Sequence, residues 1–308
     1  MRPIDARFTP FYGGAPVTVM RRLGLLETTI GGDKLRSRCI RYLQEHALTI
    51  DLDGTAGGYD LVVSGTDVAL PDNISGCPLV IVQEGILDPP GLAWGLVRRF
   101  PTRLPRWLAG TTSTGLSGKY RQFCVASRGY RDWFIEQGAP AERLVVTGIP
   151  NFDDCAAYLD NDYPRRHYVL VCSSDARETF KRHDRPAFIR RALDIAAGRE
   201  LIFKLHPNEN ARRARREIKS LAPEASVFSE GPTEAMVANC SVLITEWSSV
   251  AFVGLALGKE VHSSHSMAEL VRLLPEQNRS AAQRIARVCE QLLPHAAQAE
   301  RRTPEVAA

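Results

Sequence analysis

Short apolar runs that stop at a polar turn, each followed by a stretch with helical spacing, constrain this chain more than any other feature. Leu201-Ile202-Phe203 runs into Lys204-Leu205-His206-Pro207-Asn208-Glu209, and Val242-Leu243-Ile244 runs into Thr245-Glu246-Trp247-Ser248-Ser249. Runs this short, without polar alternation, read as strands covered on both faces, the pattern of a parallel sheet. The pattern recurs: strands are expected at 167–172, 201–204, 226–228, 242–244 and 259–262, with helices at 186–197, around 209–220 and between the later strands. Such alternation predicts an α/β fold with right-handed crossovers. Polar residues at the strand-to-helix turns then lie on the carboxyl edge of the sheet, where open α/β folds bind ligands. The helix after each turn offers unpaired N–H groups and a positive dipole end to an anion.

The first half repeats the pattern less cleanly. Strands are expected at 59–64, 78–83, 123–126 and 143–147, and Leu35, Cys39, Ile40 and Leu43 mark a helix with Asp33 at its N-cap position. Residues 2–17, rich in Pro and Gly, read as extended loop, and residues 86–120 are rich in Pro, Gly and Arg. Pro150, Asp153, Asp154, Asp160, Asp162 and Pro164 interrupt the pattern and set a boundary within 150–166. A last amphipathic helix is expected over 279–294, and 295–308, rich in Ala, Arg and Glu, reads as a frayed tail.

Composition narrows the function. The 308 residues suffice for two domains of ordinary size or one large α/β domain. Apolar residues make up 44%, enough for a substantial core, and a net charge of +4 gives no ground for nucleic-acid binding. No apolar run approaches the ~20 residues of a membrane helix, and residues 1–10 lack a signal-peptide core. Seven dispersed cysteines without a C-x-x-C pair read as reduced thiols of a cytoplasmic protein.

His206-Pro207 followed about forty residues on by Ser248-Ser249 resembles the nucleotide-binding half of GT-B glycosyltransferases with cytidine-activated donors: bacterial sialyl- and polysialyltransferases, capsule Kdo transferases and CDP-glycerol glycerophosphotransferases. Val145-Val146-Thr147-Gly148-Ile149-Pro150-Asn151-Phe152-Asp153 resembles that group's strand and Gly-x-Pro turn entering the interdomain linker. Gly254 and Gly258-Lys259-Glu260-Val261 are similar to its Ser-Ser helix and following strand, and Gln83-Glu84-Gly85 resembles its acidic-Gly motif. The resemblance runs from about Phe123 to Val261. It implies two Rossmann-like domains with parallel sheets and a cleft between them. Residues 1–155 would form the acceptor-side domain, without its usual first strand. Residues 165–278 would form the nucleotide-donor domain, and the helix at 279–294 would brace the other domain. It also implies metal-independent transfer of a sugar or phospho-polyol in surface-polysaccharide or glycolipid assembly. The partners would be a CMP- or CDP-linked donor, with a UDP-linked one as the other possibility, and a glycan or lipid-linked acceptor; no cofactor is expected. A non-hydrolysing UDP-GlcNAc 2-epimerase and a non-catalytic nucleotide- or glycan-binding protein share the fold and remain the alternatives.

Such a transfer needs the leaving phosphate stabilised and the acceptor hydroxyl deprotonated. Ser248 and Ser249 would offer hydroxyls to the phosphate, or merely cap their helix. His206 would donate to the leaving phosphate or the nucleotide, or serve as a strand-end histidine. Pro207 is expected at the first helical position. Lys204 would flank the phosphate or stay solvated. Ser173 and Ser174 end the first strand of the second half, with Arg177, Lys181 and Arg182 adding charge. Thr233 and Glu234 would meet ribose or base, and Glu246 a ribose hydroxyl. Glu84 is the candidate general base, its pKa raised by partial burial, with Asp88 as its rival; Gln83 stands where many relatives carry a second acid. No metal-ligand spacing is visible. Arg212, Arg213, Arg215 and Arg216 read as a solvated helix face, whereas Arg98, Arg99, Arg103 and Arg106 with Phe100, Trp107 and Leu108 would touch anionic lipid peripherally.

Overall fold

The computed structural model of the protein describes residues 4–10, 14–23, 32–68, 72–74, 76–86, 92–100, 113–174 and 183–293. Its first sheet holds β1 (Val62–Ser64), β2 (Leu79–Val82), β3 (Gln122–Val125) and β4 (Leu144–Val146), all parallel and in sequential order. Helices α1 (Gly14–Arg22), α2 (Asp33–Glu45), α3 (Leu92–Arg99) and α4 (Arg128–Glu136) belong to this half. Two expectations change here. Residues 14–17 are helical rather than extended, and Gly32, not Asp33, is the N-cap of α2, with Asp33 in the first turn where it suits the dipole.

The second sheet orders β5 (Val169–Cys172), β6 (Leu201–Lys204), β7 (Ser226–Phe228), β8 (Val242–Thr245) and β9 (Glu260–His262) as β7-β6-β5-β8-β9. Every pairing is parallel, and β5, β6 and β8 are buried throughout. Alternation splits the side chains cleanly. Val169, Val171, Phe203 and Ile244 pack with α5 (Arg185–Ala196) and α6 (Ala211–Leu221). Leu170, Cys172, Ile202 and Leu243 pack on the other face with α7 (Thr233–Asn239) and α8 (Val250–Ala256). Chain order reverses between β5 and β8, so this sheet has a topological switch point; the first, in sequential order, has none.

The face carrying α7 and α8 shares one apolar core with the first sheet. Phe123 meets Phe134 of α4 edge-on with centroids 4.6 Å apart. Phe252 of α8 receives Tyr130 of α4 and Phe152 of the linker at 6.2 and 6.1 Å. Helix α4 also lies against α9 (Met267–Leu273) so closely that a Cβ on Gly129 would overlap the Arg272 carbonyl.

After α9 the chain crosses back to the carboxyl edge of the first sheet. Glu276 N–H donates to the Ala126 carbonyl at 3.0 Å and Asn278 Nδ2 to the Thr147 carbonyl at 3.1 Å. Gln277 Oε1 accepts the Cys155 N–H, and Asp153 accepts the Ala281 N–H. Helix α10 (Ala281–Leu292) starts against Gly148, which adopts φ of 76° and leaves no room for a Cβ beside Asn278 and Ala281. Its Cys289 lies near Cys124, whose thiol is pushed up to about 12 by burial first and that neighbour second. All seven cysteines are free. No helix among the described residues is long and apolar enough to cross a membrane.

The α4–α9 contact yields a paired prediction. Gly129→Ala is expected to cost about 1–3 kcal/mol of stability through overpacking against backbone. Gly95→Ala in α3, where a Cβ meets nothing within 4 Å, is expected to gain about 0.5–1 kcal/mol. Urea denaturation of both variants checks the contrast.

Candidate functional site

The carboxyl ends of β5 and β8 flank the switch point, and each is tied to a carboxylate. Ser173 Oγ donates to Glu209 Oε2 at 2.5 Å and accepts the His206 N–H at 3.2 Å. Glu209 pairs with Arg185, the first residue of α5, and both side chains are 2% exposed. Ser174 Oγ donates to Glu246 Oε2 at 3.3 Å, and the same oxygen lies 2.6 Å from His183 Nε2. One buried ion pair therefore fixes the turns after β5 and β6, and a second carboxylate fixes the turn after β8.

His206 is half-buried in the turn after β6, its main chain held by Ser173. Its Nδ1 accepts the Asn208 N–H at 3.2 Å, which leaves Nε2 as the proton-bearing nitrogen, the state of a hydrogen-bond donor. Pro207 does not open a helix. Asn210 caps α6 by accepting the Arg213 N–H, so Pro207 shapes a turn four residues ahead of Ala211. Lys204 is buried, and its ammonium donates to the carbonyls of Leu205 and Ser229 at 3.1 and 3.5 Å, turned toward β7. The hydroxyl proton of Ser173 is likewise committed to Glu209, so this serine braces the turn. Thr233 and Glu234 open α7, and Glu234 is exposed; after burial, it is the next cause of the raised Tyr158 phenol pKa in the linker.

Ser248 and Ser249 are half-buried before α8. Ser249 occupies the N-cap position in helical conformation and makes no side-chain cap bond, while Ser248 Oγ accepts the Val250 N–H only at 3.4 Å. Capping therefore uses little of this pair. Facing them is the end of β2: a Cβ on Gly85 would sit 3.5 Å from both Cβ and Oγ of Ser249 and 3.9 Å from Phe152. The tertiary fold thus brings Glu84-Gly85 and Ser248-Ser249, remote in sequence, to one cleft.

Glu84 lies over Gly65, where any side chain would overlap its carboxyl. Its residue surface remains exposed, yet the protein packed around the carboxyl removes enough water to raise its pKa. Gln83 is 2% exposed; its amide donates to the Gly85 carbonyl and accepts the Ala126 N–H, each at 2.9 Å. A carboxylate cannot donate, so an acid at this position would lose the bond that shapes the Glu84 turn.

Asp88, Arg177, Lys181, Arg182, Arg103, Arg106, Trp107, Leu108 and residues 295–308 lie outside the described residues, as does the side chain of Arg98. Arg99 and Phe100 are exposed at the end of α3, and Arg212, Arg215 and Arg216 are exposed on α6. Among the described residues no group of His, Cys, Asp and Glu could hold a metal ion. His262 pairs with Glu260 at 2.7 Å. No motif or periodicity in the sequence singles out His183 or Arg185, which flank the Asp184 N-cap of α5, or assigns a role to Glu209. A cap signature announces the helix but not the carboxylates its neighbours will meet.

No family model and no curated protein matches this chain at the level of sequence. Among solved structures, the co-structure of S. aureus MnaA with UDP superposes with a TM-score of 0.53 at 13% identity, covering 93% of this chain and 89% of that one. UDP-GlcNAc 2-epimerase from Neisseria meningitidis bound to UDP-GlcNAc gives 0.48 at 12%, covering 83% and 80%. The wall teichoic acid polymerase TagF gives 0.47 at 11%, covering 77% and 74%. The likeness is one of fold: two parallel sheets with helices in a GT-B-like arrangement.

Two stability predictions follow from the geometry. Glu209→Gln removes the carboxylate charge from the buried pair with Arg185 and is expected to cost about 3–5 kcal/mol, whereas the double change to Met at both positions recovers most of it; chemical denaturation reads both. Glu84 binds its proton more tightly in the folded state, so it favours folding below its ordinary value of 4.5 and loses that contribution as pH rises through the raised folded pKa. Glu84→Gln should therefore melt above wild type at pH 7.5, with the gap closing by pH 4.

Proposed function

We propose that this protein transfers a sugar or phospho-polyol from a nucleotide-activated donor, a cytidine-linked one favoured, to a glycan or lipid-linked acceptor in cell-surface polysaccharide or glycolipid assembly. The observation that supports the reading is the cleft itself. The half-buried Ser248-Ser249 pair, with hydroxyls little used for capping, and His206, with its proton on Nε2, stand on the switch-point sheet. Glu84 stands opposite, where Gly85 approaches Ser249. In this reading Ser248, Ser249 and the first amides of α8 hold the leaving phosphate, and His206 Nε2 donates to it as charge develops. Glu84 takes the acceptor proton. A carboxyl with a raised pKa is the stronger base once ionised, which suits that role near neutral pH. The chemistry requires no metal in this reading. Attachment to the inner face of a membrane through the basic and aromatic residues 98–108 belongs to the same proposal and predicts co-sedimentation with anionic vesicles at low salt.

A second reading, turnover of a UDP-sugar in the manner of the non-hydrolysing 2-epimerases, is favoured by the fold likeness to the UDP-bound S. aureus protein along nearly the whole chain. A calorimetric panel of CMP, CDP, UMP, UDP, GDP and ADP separates the two. Binding of a cytidine nucleotide that weakens about tenfold or more in His206→Ala supports the transferase, since losing a bond to a charged group costs about 1.5–3 kcal/mol. Selective UDP binding with turnover in the absence of acceptor supports the epimerase, and binding without turnover of any donor a non-catalytic binder. With the donor known, Glu84→Gln is expected to lower the transfer rate about 10²–10⁴-fold with nucleotide affinity unchanged; near-normal transfer would remove Glu84 as the base.

A further inference from the structure

Beside the phosphate-side serines, the carboxylate of Glu246 divides its two oxygens unequally. Oε2 takes both protein donors, His183 Nε2 at 2.6 Å and Ser174 Oγ at 3.3 Å. Oε1 receives no bond among the described residues, and the side chain keeps 14% of its exposure. An ionised carboxylate is an acceptor only, with about four lone-pair sites. Next to a place that would hold an anion it repels further negative charge and accepts from a donor on the ligand, and beside the phosphates of a nucleotide-activated ligand the donors are the hydroxyls of the ribose and of the transferred group.

His183 explains why the carboxylate stays aimed there. Its side chain is 2% exposed, and its Nδ1 is buried without a partner among the described residues. Its ring packs edge-on toward Phe188 at 6.1 Å, which fixes the imidazole plane. A histidine this buried makes a single polar contact, and that contact is Glu246 Oε2. With Nε2 donating and the ring immobile, Oε2 is pinned and Oε1 is left toward solvent at the switch point.

We propose that His183 is a positioning residue and that Glu246, held by it, accepts a hydroxyl of the nucleotide donor, either from the ribose or from the transferred sugar or polyol. The assignment rests on the nucleotide-donor reading above and adds to it the group that distinguishes hydroxylated from deoxygenated ligands.

Calorimetry on the full chain tests it with CDP and UDP against their 2′-deoxy and 3′-deoxy forms, and against CDP-glycerol and UDP-GlcNAc. Wild type is expected to bind the ribonucleotide about tenfold or more tightly than a deoxy form if the ribose supplies the hydroxyl. If the transferred group supplies it, the gain appears instead between the bare nucleotide and its conjugate. In either arm His183→Phe, which keeps the ring packing but cannot donate, should erase the difference while leaving the weaker ligand unaffected. His183→Gln, whose amide can still donate to Glu246, should retain it. His206→Ala should weaken all ligands alike. Glu246→Ala carries the same expectation as His183→Phe and replaces it if that variant does not fold. Nucleotide binding with no hydroxyl dependence in either arm overturns this inference alone. A hydroxyl dependence that survives both His183→Phe and Glu246→Ala also overturns it. Absence of nucleotide binding overturns it together with the donor reading.

Discussion

The buried pair of Arg185 and Glu209 is the interaction on which the carboxyl edge of the second sheet depends. Two charges with 2% side-chain exposure bear a desolvation cost that their attraction offsets only when the geometry is good and other bonds satisfy the remaining lone pairs. Ser173 supplies such a bond, and by also accepting the His206 N–H it carries the restraint into the neighbouring turn. The arrangement spends charge burial on position rather than on net stability. Helix α5 starts at Arg185, Ser173 directly follows β5 and the turn after β6 holds both His206 and Glu209, so one pair indexes three elements at the carboxyl edge.

The two sheets divide their work because their topologies differ. The first is ordered sequentially and offers no crevice of its own; it presents one strand end, Glu84-Gly85, to its neighbour. The second reverses order between β5 and β8 and gathers serine, histidine and carboxylate groups there. What sets the gap between the sheets is packing on a single side, where Phe252 seats against Tyr130 and Phe152 and α4 rests on α9 through a glycine. The segment returning from α9 then fastens to Ala126 and Thr147, at the same carboxyl edge as Gln83 and Glu84. Partial dehydration alone raises the pKa of the Glu84 carboxyl.

Much of the fold is legible locally. Strands such as 79–82, 169–172 and 242–245 lie within a residue or two of where their apolar runs put them, because burial on both faces of a parallel strand leaves few polar positions to blur the signal. Caps are less legible. Asp33 and Pro207 carry the right chemistry for a helix start, yet Asp33 lies one residue past its N-cap and Pro207 three residues before its own, since the start is decided by which backbone groups tertiary contacts leave open. Lys204 reads as a cation that either flanks a phosphate or stays solvated, yet it is buried and turns to carbonyls beside β7 that no local pattern announces.

The sequence by itself determined the alternation of strand and helix, and so the parallel sheets and the edge on which their polar turns emerge. It also put the candidate residues His206, Ser248, Ser249, Glu246 and Glu84 at those turns. Only the tertiary structure decided which of them meet. It placed Gly85 against Ser249 across more than 160 positions of chain, withdrew Ser173 and Lys204 into structural bonds, and set His183 and Arg185 against carboxylates. The reason is physical: hydrophobic periodicity is a property of neighbouring residues, whereas the partner of a buried charge is chosen by whichever distant group the packed core brings within reach.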